Sequence, residues 1–406
     1  MYSRLGHRMV NRRLYQVRRN YSFWNKFTNS FWHRLSGENK TPKPDDPNTL
    51  IKALHEHEPW FDQEKRTHHK VQEETTVSVV DAVKFQALLS RATQNLALWN
   101  HDKQPSPHQI EVFRGDWGEV AQRETRKYGE IYAVLNMANA YFVGGAFLDG
   151  GGAQEENMFA RTSCSNHILA EGSHIYLDKN NVYRYKPEMT DLINAKTRMT
   201  PDELARLSAI CGKIIDHAYK VHMDTQEPEV CFRGPELFAN IQGSGFFDEP
   251  KSSGRIALSV KDGSFAYLSD SEIFPFHELR SAAIDLTDTD IEADWNDREF
   301  VEWFKKETKR RIDAQLDTVL LNGIRHAVLC AFGCGAFKNR AEEVAGIYRE
   351  SIEERAVHFE HIVFAIYHPG YGRDNFPAFE KELHGLPLGA KARLNLEKSI
   401  RLGFKE

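Results

Sequence analysis

Cysteine is scarce in this chain. Five thiols in 406 residues, Cys164, Cys211, Cys231, Cys330 and Cys334, form no Cys-x-x-Cys pair and no even framework, which argues against a disulfide scaffold and a structural zinc site and favours a reducing compartment. No apolar run approaches the ~18 residues that a membrane helix needs. Internal repeats are also lacking. Acidic side chains are missing from the first 34 positions, which carry eight Lys or Arg, so the remainder holds 45 basic against 58 acidic residues. The positive charge therefore belongs to the leader and not to the body. With 41% hydrophobic and 27% charged residues, the chain has the composition of a globular protein that buries one large core or two modest ones.

The acid-free leader has two readings. Arginine-rich beginnings of this kind resemble mitochondrial presequences, and Arg19-Asn20-Tyr21-Ser22 looks like a processing site. A plain basic arm fits equally, and its interleaved aromatics suit a peripheral membrane contact. The expected address is intracellular, mitochondrial if the leader is a presequence and cytosolic otherwise. Residues 1–48 comprise this leader and a Pro- and Asp-containing linker, and residues 49–114 read as an N-terminal helical extension. That extension holds His55, His57, His68 and His69, but no ordered set of further ligands accompanies them, so the reading is a solvated helical face. Asp116 with Glu119 three residues on marks a helix start, and Gly129 a stop after Tyr128.

Two stretches carry the chemistry. Ile131–Leu135 is an apolar run too short for a helix and reads as a buried strand. Gly144, Gly145, Gly150, Gly151 and Gly152 follow, a loop whose backbone can wrap closely around an anion such as a diphosphate. Glu155 and Glu156 come directly after it, with no nearby cation in sequence to balance them. Further on, the strand-like Ala327–Phe332 runs into Gly333-Cys334-Gly335-Ala336-Phe337. Asn339 and Glu342 then read as caps of a helix with Val344, Ile347, Tyr348 and Ile352 on one face. A helix start behind glycines favours phosphate. Cys334 reads as a small buried residue rather than a nucleophile.

Gly144-Gly145-Ala146, seven residues, then Gln154-Glu155-Glu156 resembles the signature loop of the poly(ADP-ribose) glycohydrolases, especially the microbial type, a catalytic branch of the macrodomains. Leu135-Asn136-Met137-Ala138 is similar to the end of the family's preceding strand. Ala146 replaces the family's third glycine. The resemblance implies that Asn136, Asn139, Gly144, Gly145, Ala146 and Gln154 bind substrate, that Glu155 holds ribose hydroxyls, and that Glu156 is the general acid and then the base. It also implies that Gly333, Cys334, Gly335 and Ala336 surround the diphosphate and that Phe337 walls the reactive ribose. Ser281–Asp285 looks like the family's strand end before a long helix, here near Trp295–Ala314. Asp285 could reach the ribose or a cationic acceptor; an ordinary solvated acidic loop is the other reading.

The remaining chain supplies context. Thr200-Pro201-Asp202-Glu203 is a strong helix start, with Leu204, Leu207, Cys211 and Ile214 on one face. Insertions relative to the family are expected near 190–225 and 243–267, the catalytic domain spans 115–385, and 386–406 form a basic tail. A third strand, Ile362–Tyr367, precedes Tyr371, which reads as a turn residue or a pocket border.

Strands alternating with helices imply an α/β fold, which the resemblance sharpens to a macrodomain-like three-layer α/β/α sandwich with a mixed sheet and family-atypical insertions. The implied function is hydrolysis of the glycosidic bond of ADP-ribose attached to protein, as mono- or poly-ADP-ribose. A nearby like charge raises one carboxyl pKa and favours a proton on it near neutral pH, as a proton donor requires. No metal or cofactor is called for. The expected partners are ADP-ribosylated proteins or the polymer, with no direct nucleic-acid contact and no transmembrane segment. Two alternatives stay open. A non-catalytic ADP-ribose-binding macrodomain shares every loop but has no need of the carboxylate pair. A nicotinamide-dependent Rossmann oxidoreductase would use Gly333-x-Gly335 with Glu353 twenty residues on, although Lys338 stands where a third glycine belongs.

Overall fold

The short apolar runs between turn residues become the middle of one sheet. The computed structural model describes residues 63–166, 174–178, 182–241, 254–288, 291–369 and 372–403. The leader and linker, His55, His57, positions 243–253 of the second expected insertion and Tyr371 lie outside them. Seven strands are β1 (Gln109–Arg114), β2 (Ala133–Met137), β3 (His222–Met223), β4 (Glu229–Cys231), β5 (Phe274–Ser281), β6 (His326–Leu329) and β7 (His361–Ile366). They run in the order β1-β7-β6-β2-β5-β3, with β4 also on β5. β1, β7, β6, β2 and β5 are mutually parallel, while β3 and β4 pair antiparallel with β5. The sheet is mixed, as expected.

Period-two alternation sends successive side chains to opposite faces. Ala133, Leu135, Ala327, Leu329, Ile362 and Phe364 belong to one core. Val134, Val328, Val363 and Ala365 belong to a second. Helices cover both. The first core is closed by α5 (Pro201–Cys211), α6 (Arg298–Leu321), α7 (Ala341–Glu353) and α8 (Phe376–Leu383). The second is closed by α3 (Trp117–Tyr128) and α4 (Gln154–Arg161). This is a three-layer α/β/α arrangement. Each fully buried Leu, Ile, Val or Phe in it contributes about 1.5–3 kcal/mol.

Local signals set several boundaries. Asp116 caps α3 by accepting from the Gly118 and Glu119 amides, and Gly129 ends it at φ 63°. Thr200 and Glu203 form a reciprocal capping box for α5. Leu207 is buried on that helix, but Ile214 lies beyond its end and is exposed, so the expected four-residue face stops at Cys211. Asn339 does not cap α7. Arg340 precedes that helix without a side-chain cap, and the Asn339 amide instead donates to the Ile284 carbonyl, because the turn folds it back onto the neighbouring strand end. Val344, Ile347, Tyr348 and Ile352 do share the buried face.

The segment read as an N-terminal extension is built into the layers. It contributes β1 to the sheet edge, with α1 (Gln63–Val80) and α2 (Ala82–His101) before it. His68 and His69 are buried, not solvated. α9 (Gly389–Gly403) forms from the basic tail. No helix of the described residues is long and apolar enough to cross a membrane.

Candidate active site

Five parallel strands present their C-terminal ends along one edge, where ligands bind in such sheets. The glycine-rich loop leaves β2 there, the Gly333–Phe337 turn follows β6, and the Asp285 segment follows β5. The edge is stitched together by backbone bonds from Ala138 N–H to the Ser281 carbonyl and from Leu286 N–H to the Phe337 carbonyl. Two loops far apart in sequence therefore share one rim.

Gln154, the first residue of α4, fixes the helix to the strand. Its Oε1 accepts from the Met137 amide at 2.8 Å and its Nε2 donates to the Leu135 carbonyl at 2.9 Å, so the side chain imitates one rung of a neighbouring strand. That sets Glu155 and Glu156 in the helix's first turn, beneath the loop. Glu155 Oε2 accepts from the Asn139 amide at 2.7 Å, and Glu156 Oε1 accepts from the Ala146 amide at 2.7 Å. The other oxygen of each is buried and makes no hydrogen bond among the described residues. Gly145, at φ 60°, is required for this contact: a Cβ there would run into Glu156 Oε1 and lie 3.0 Å from Glu155 Oε2.

Burial governs the electrostatics. Glu155 and Glu156 are 3% and 7% exposed. Desolvation pushes the Glu155 carboxyl well above the ordinary carboxylate range, Glu156 pushes it further, and the Asn139 amide and Arg280 oppose them. Desolvation likewise raises Glu156 against the Ala146 amide and the charge of His68. The start of a helix favours negative charge by no more than about 2 kcal/mol, and here burial outweighs it. Both carboxyls are thus shifted upward, so the site favours the protonated form more than a free carboxyl does.

Asn136 sits below the site and not in it. Fully buried, it donates to Glu278 Oε1 at 2.5 Å, and Glu278 is gripped by Arg280 at 2.6 and 3.0 Å. Arg280 also donates to the Tyr185 hydroxyl at 3.1 Å. Asn139 shapes the loop: its Oδ1 accepts from the Tyr141 and Phe142 amides. Glu278 and Arg280 were missed at the sequence level. Opposite charges at alternate positions of one strand, Glu278 and Arg280, were the available signal, since period two puts both on one face.

The two glycine stretches divide the anion-binding work differently from the expectation. Gly145, Phe147, Asp149, Gly150 and Gly151 of the first loop spend their amides on carbonyls of the same segment. By contrast, the amides of Gly335, Ala336 and Phe337 make no hydrogen bond among the described residues, and Gly335 and Ala336 are exposed. Successive open N–H groups in a turn form an anion-binding concavity. The start of α7 itself carries Glu342 and Glu343, which already satisfy the helix dipole and repel an anion. Gly144 and Ala146 line the first loop. Gly333 is structural, because a Cβ there would meet Asn339 and Ala283. The Cys334 thiol is pushed up by burial, so it is no nucleophile. Phe337 is half-buried against the first core. Asp285 Oδ1 closes a turn by accepting from the Thr287 amide at 2.9 Å and hydroxyl at 2.6 Å.

The sequence profile of the family described as microbial-type PARG, catalytic domain, matches residues 51–194. Over that stretch the chain is similar to the microbial-type PARG catalytic domain. The matched stretch contains the glycine loop and both glutamates and ends before β5 and the Gly333–Phe337 turn. Poly(ADP-ribose) glycohydrolase from Deinococcus radiodurans, in complex with ADP-ribose, is 18% identical, with 72% of this chain and 91% of that chain covered and a TM-score of 0.41. The Thermomonospora curvata enzyme bound to the inhibitor ADP-HPD is 19% identical over 73% and 88% of the two chains, with a TM-score of 0.39. Those superpositions are too distant to bear on the site. A search of curated proteins finds no match.

Proposed function

We propose that the protein hydrolyses the glycosidic bond of protein-attached ADP-ribose, with Glu156 as general acid and then general base. The observation that carries this reading is the pair of adjacent buried carboxyls, each with one oxygen fixed by a loop amide and the other uncommitted. Protonated Glu156 gives its proton to the departing oxygen or nitrogen as the anomeric C–O or C–N bond breaks through an oxocarbenium-like state. The resulting carboxylate then takes a proton from the water that forms the new anomeric C–O bond, which regenerates the acid. Glu155 holds the ribose hydroxyls, and negative charge nearby stabilises the sugar cation. The open amides of Gly335–Phe337 receive the diphosphate. Both free carboxyl oxygens are screened from solvent, so substrate must part the glycine loop to reach them.

A reader domain has no use for a buried carboxyl pair, whose desolvation opposes folding. The oxidoreductase alternative fails on geometry. Glu353 is the last residue of α7, about 20 Å along the helix from its start at 1.5 Å per residue, and it pairs with Arg349 at 3.0 Å. It cannot meet a ribose at the Gly333 turn.

The deciding experiment follows free ADP-ribose released from polymer chains and from arginine-, glutamate- and serine-linked mono-ADP-ribosyl proteins. Release from any of them supports hydrolysis, whereas binding without release makes the protein a reader. The acid-free leader supports a mitochondrial address. Deletion of Met1–Tyr21 then relocates the protein in cells without altering either binding or turnover, and an unchanged distribution reduces the leader to a basic arm.

A further inference from the structure

His68 lies on α1, in the segment that sequence reasoning assigned to a solvated face, yet it is 3% exposed and inserted under the glycine loop. Its Nδ1 is 3.0 Å from the Gly150 carbonyl and its Nε2 is 2.6 Å from Glu236 Oε1. A carbonyl and a carboxylate can only accept, so both ring nitrogens donate and the side chain is an imidazolium. The loop rests on the ring itself: a Cβ at Gly152 would lie 2.8 Å from His68 Cε1. Phe265 closes the remaining side edge-on, with 5.7 Å between centroids.

We propose that His68 is a positioning residue for the reaction: as a buried cation it latches the glycine loop to α1 and Glu236 and holds its charge beside Glu156. The charged groups that act on it are Glu236 from the segment after β4, Glu64 one turn back on its own helix, and Glu156 from α4. Burial alone would strip the proton, but the Glu236 hydrogen bond and charge, the Gly150 carbonyl and Glu64 together hold the imidazole above its ordinary range. Its charge in turn offsets part of the burial that raises Glu156. A neutral imidazole donates through one nitrogen only. Loss of the proton therefore releases either the loop or Glu236 and removes the cation from the acid/base residue, so the latch opens as pH rises.

This inference rests on the Glu156 reading for its kinetic arm alone. The test titrates the His68 ring by NMR in the full chain and follows ADP-ribose release against pH for wild type, Glu236→Gln, His68→Ala and His68→Asn. The His68 ring is doubly protonated at pH 7, Glu236→Gln moves its titration to lower pH, and the alkaline limb of kcat moves with it. His68→Ala lowers kcat by about a hundredfold, the size of a misplaced reacting group, with a smaller change in KM. His68→Asn, which restores a donor toward Gly150, recovers part of the rate. A neutral ring at pH 7, or an alkaline limb that stays put while the ring titration moves, overturns the latch. Should no substrate be hydrolysed, the Glu156 reading fails separately, and exchange of the Gly150 and Gly151 amides still judges the latch: it accelerates as His68 deprotonates, and pH-independent opening refutes it.

Discussion

Replacing Glu156 by Gln removes the transferable acid proton and leaves the shape of the site in place. In the structure Glu156 Oε1 accepts from the Ala146 amide at 2.7 Å, and the glutamine oxygen can occupy that position, so the loop keeps its anchor. The amide nitrogen takes the place of the uncommitted Oε2, where the reading puts the transferable proton. Loss of a positioned acid or base costs about 10²–10⁴-fold in rate, or roughly 2.7–5.4 kcal/mol of barrier. ADP-ribose affinity stays within about tenfold, because the substituted group donates where a protonated carboxyl donated. The variant also melts at a higher temperature at pH 7, since a carboxyl raised by burial no longer has to be kept dry. Single-turnover release of ADP-ribose, calorimetry with ADP-ribose and a thermal melt give the three readouts. Turnover within tenfold of wild type refutes the assignment, and parallel loss of affinity and rate demotes Glu156 to a binding group.

Gly335→Val keeps the fold, because nothing lies within 4 Å of a Cβ at that position, but it places a branched side chain over the open amides; calorimetry should show ADP-ribose affinity lost in a folded variant, and unchanged affinity would make the turn a packing feature only. Asp285→Asn retains the acceptor of the Thr287 turn and discards the charge, so hydrolysis of arginine-linked ADP-ribose slows more than that of ester-linked substrate; equal slowing removes Asp285 from acceptor recognition. Stability falls as pH rises across the neutral range. The His68 contribution is fully present below its unfolded value of 6.5 and lost as pH passes its raised folded value, while the cost of ionising Glu155 and Glu156 grows upward from 4.5. Urea titrations between pH 5 and pH 9 check the sign, and His68→Asn flattens the slope; a slope of opposite sign contradicts the burial argument.

Short-range physics made much of the site legible in the residues. A strand of apolar side chains, a run of glycines and two adjacent carboxylates are local patterns, and so are the Asp116 and Thr200 caps. They therefore mark β2, the loop, α3 and α5 before any folding is known. Side-chain partners across distant elements follow no such pattern. His68 reads as one of several polar residues on a helix because its burial depends on Gly150 and Glu236, 82 and 168 residues away. Asn136 belongs to the right motif, yet its amide points to Glu278 below the sheet edge. Asn339 looks like a helix cap until the packing of Gly333 on Ala283 turns it toward Ile284.

The sequence by itself determined the fold class, through alternating strand and helix patterns, and singled out Glu155 and Glu156 as the candidate site carboxylates, through two adjacent acids behind a glycine-rich loop. Tertiary structure alone decided which amides remain open for an anion, since the first loop consumes most of its own and the Gly335–Phe337 turn does not. It alone decided the protonation of the site as well. A carboxyl's pKa depends on how much water is excluded around it and on which charges are brought near, and both Arg280 and His68 reach the pair only through contacts made when the layers close.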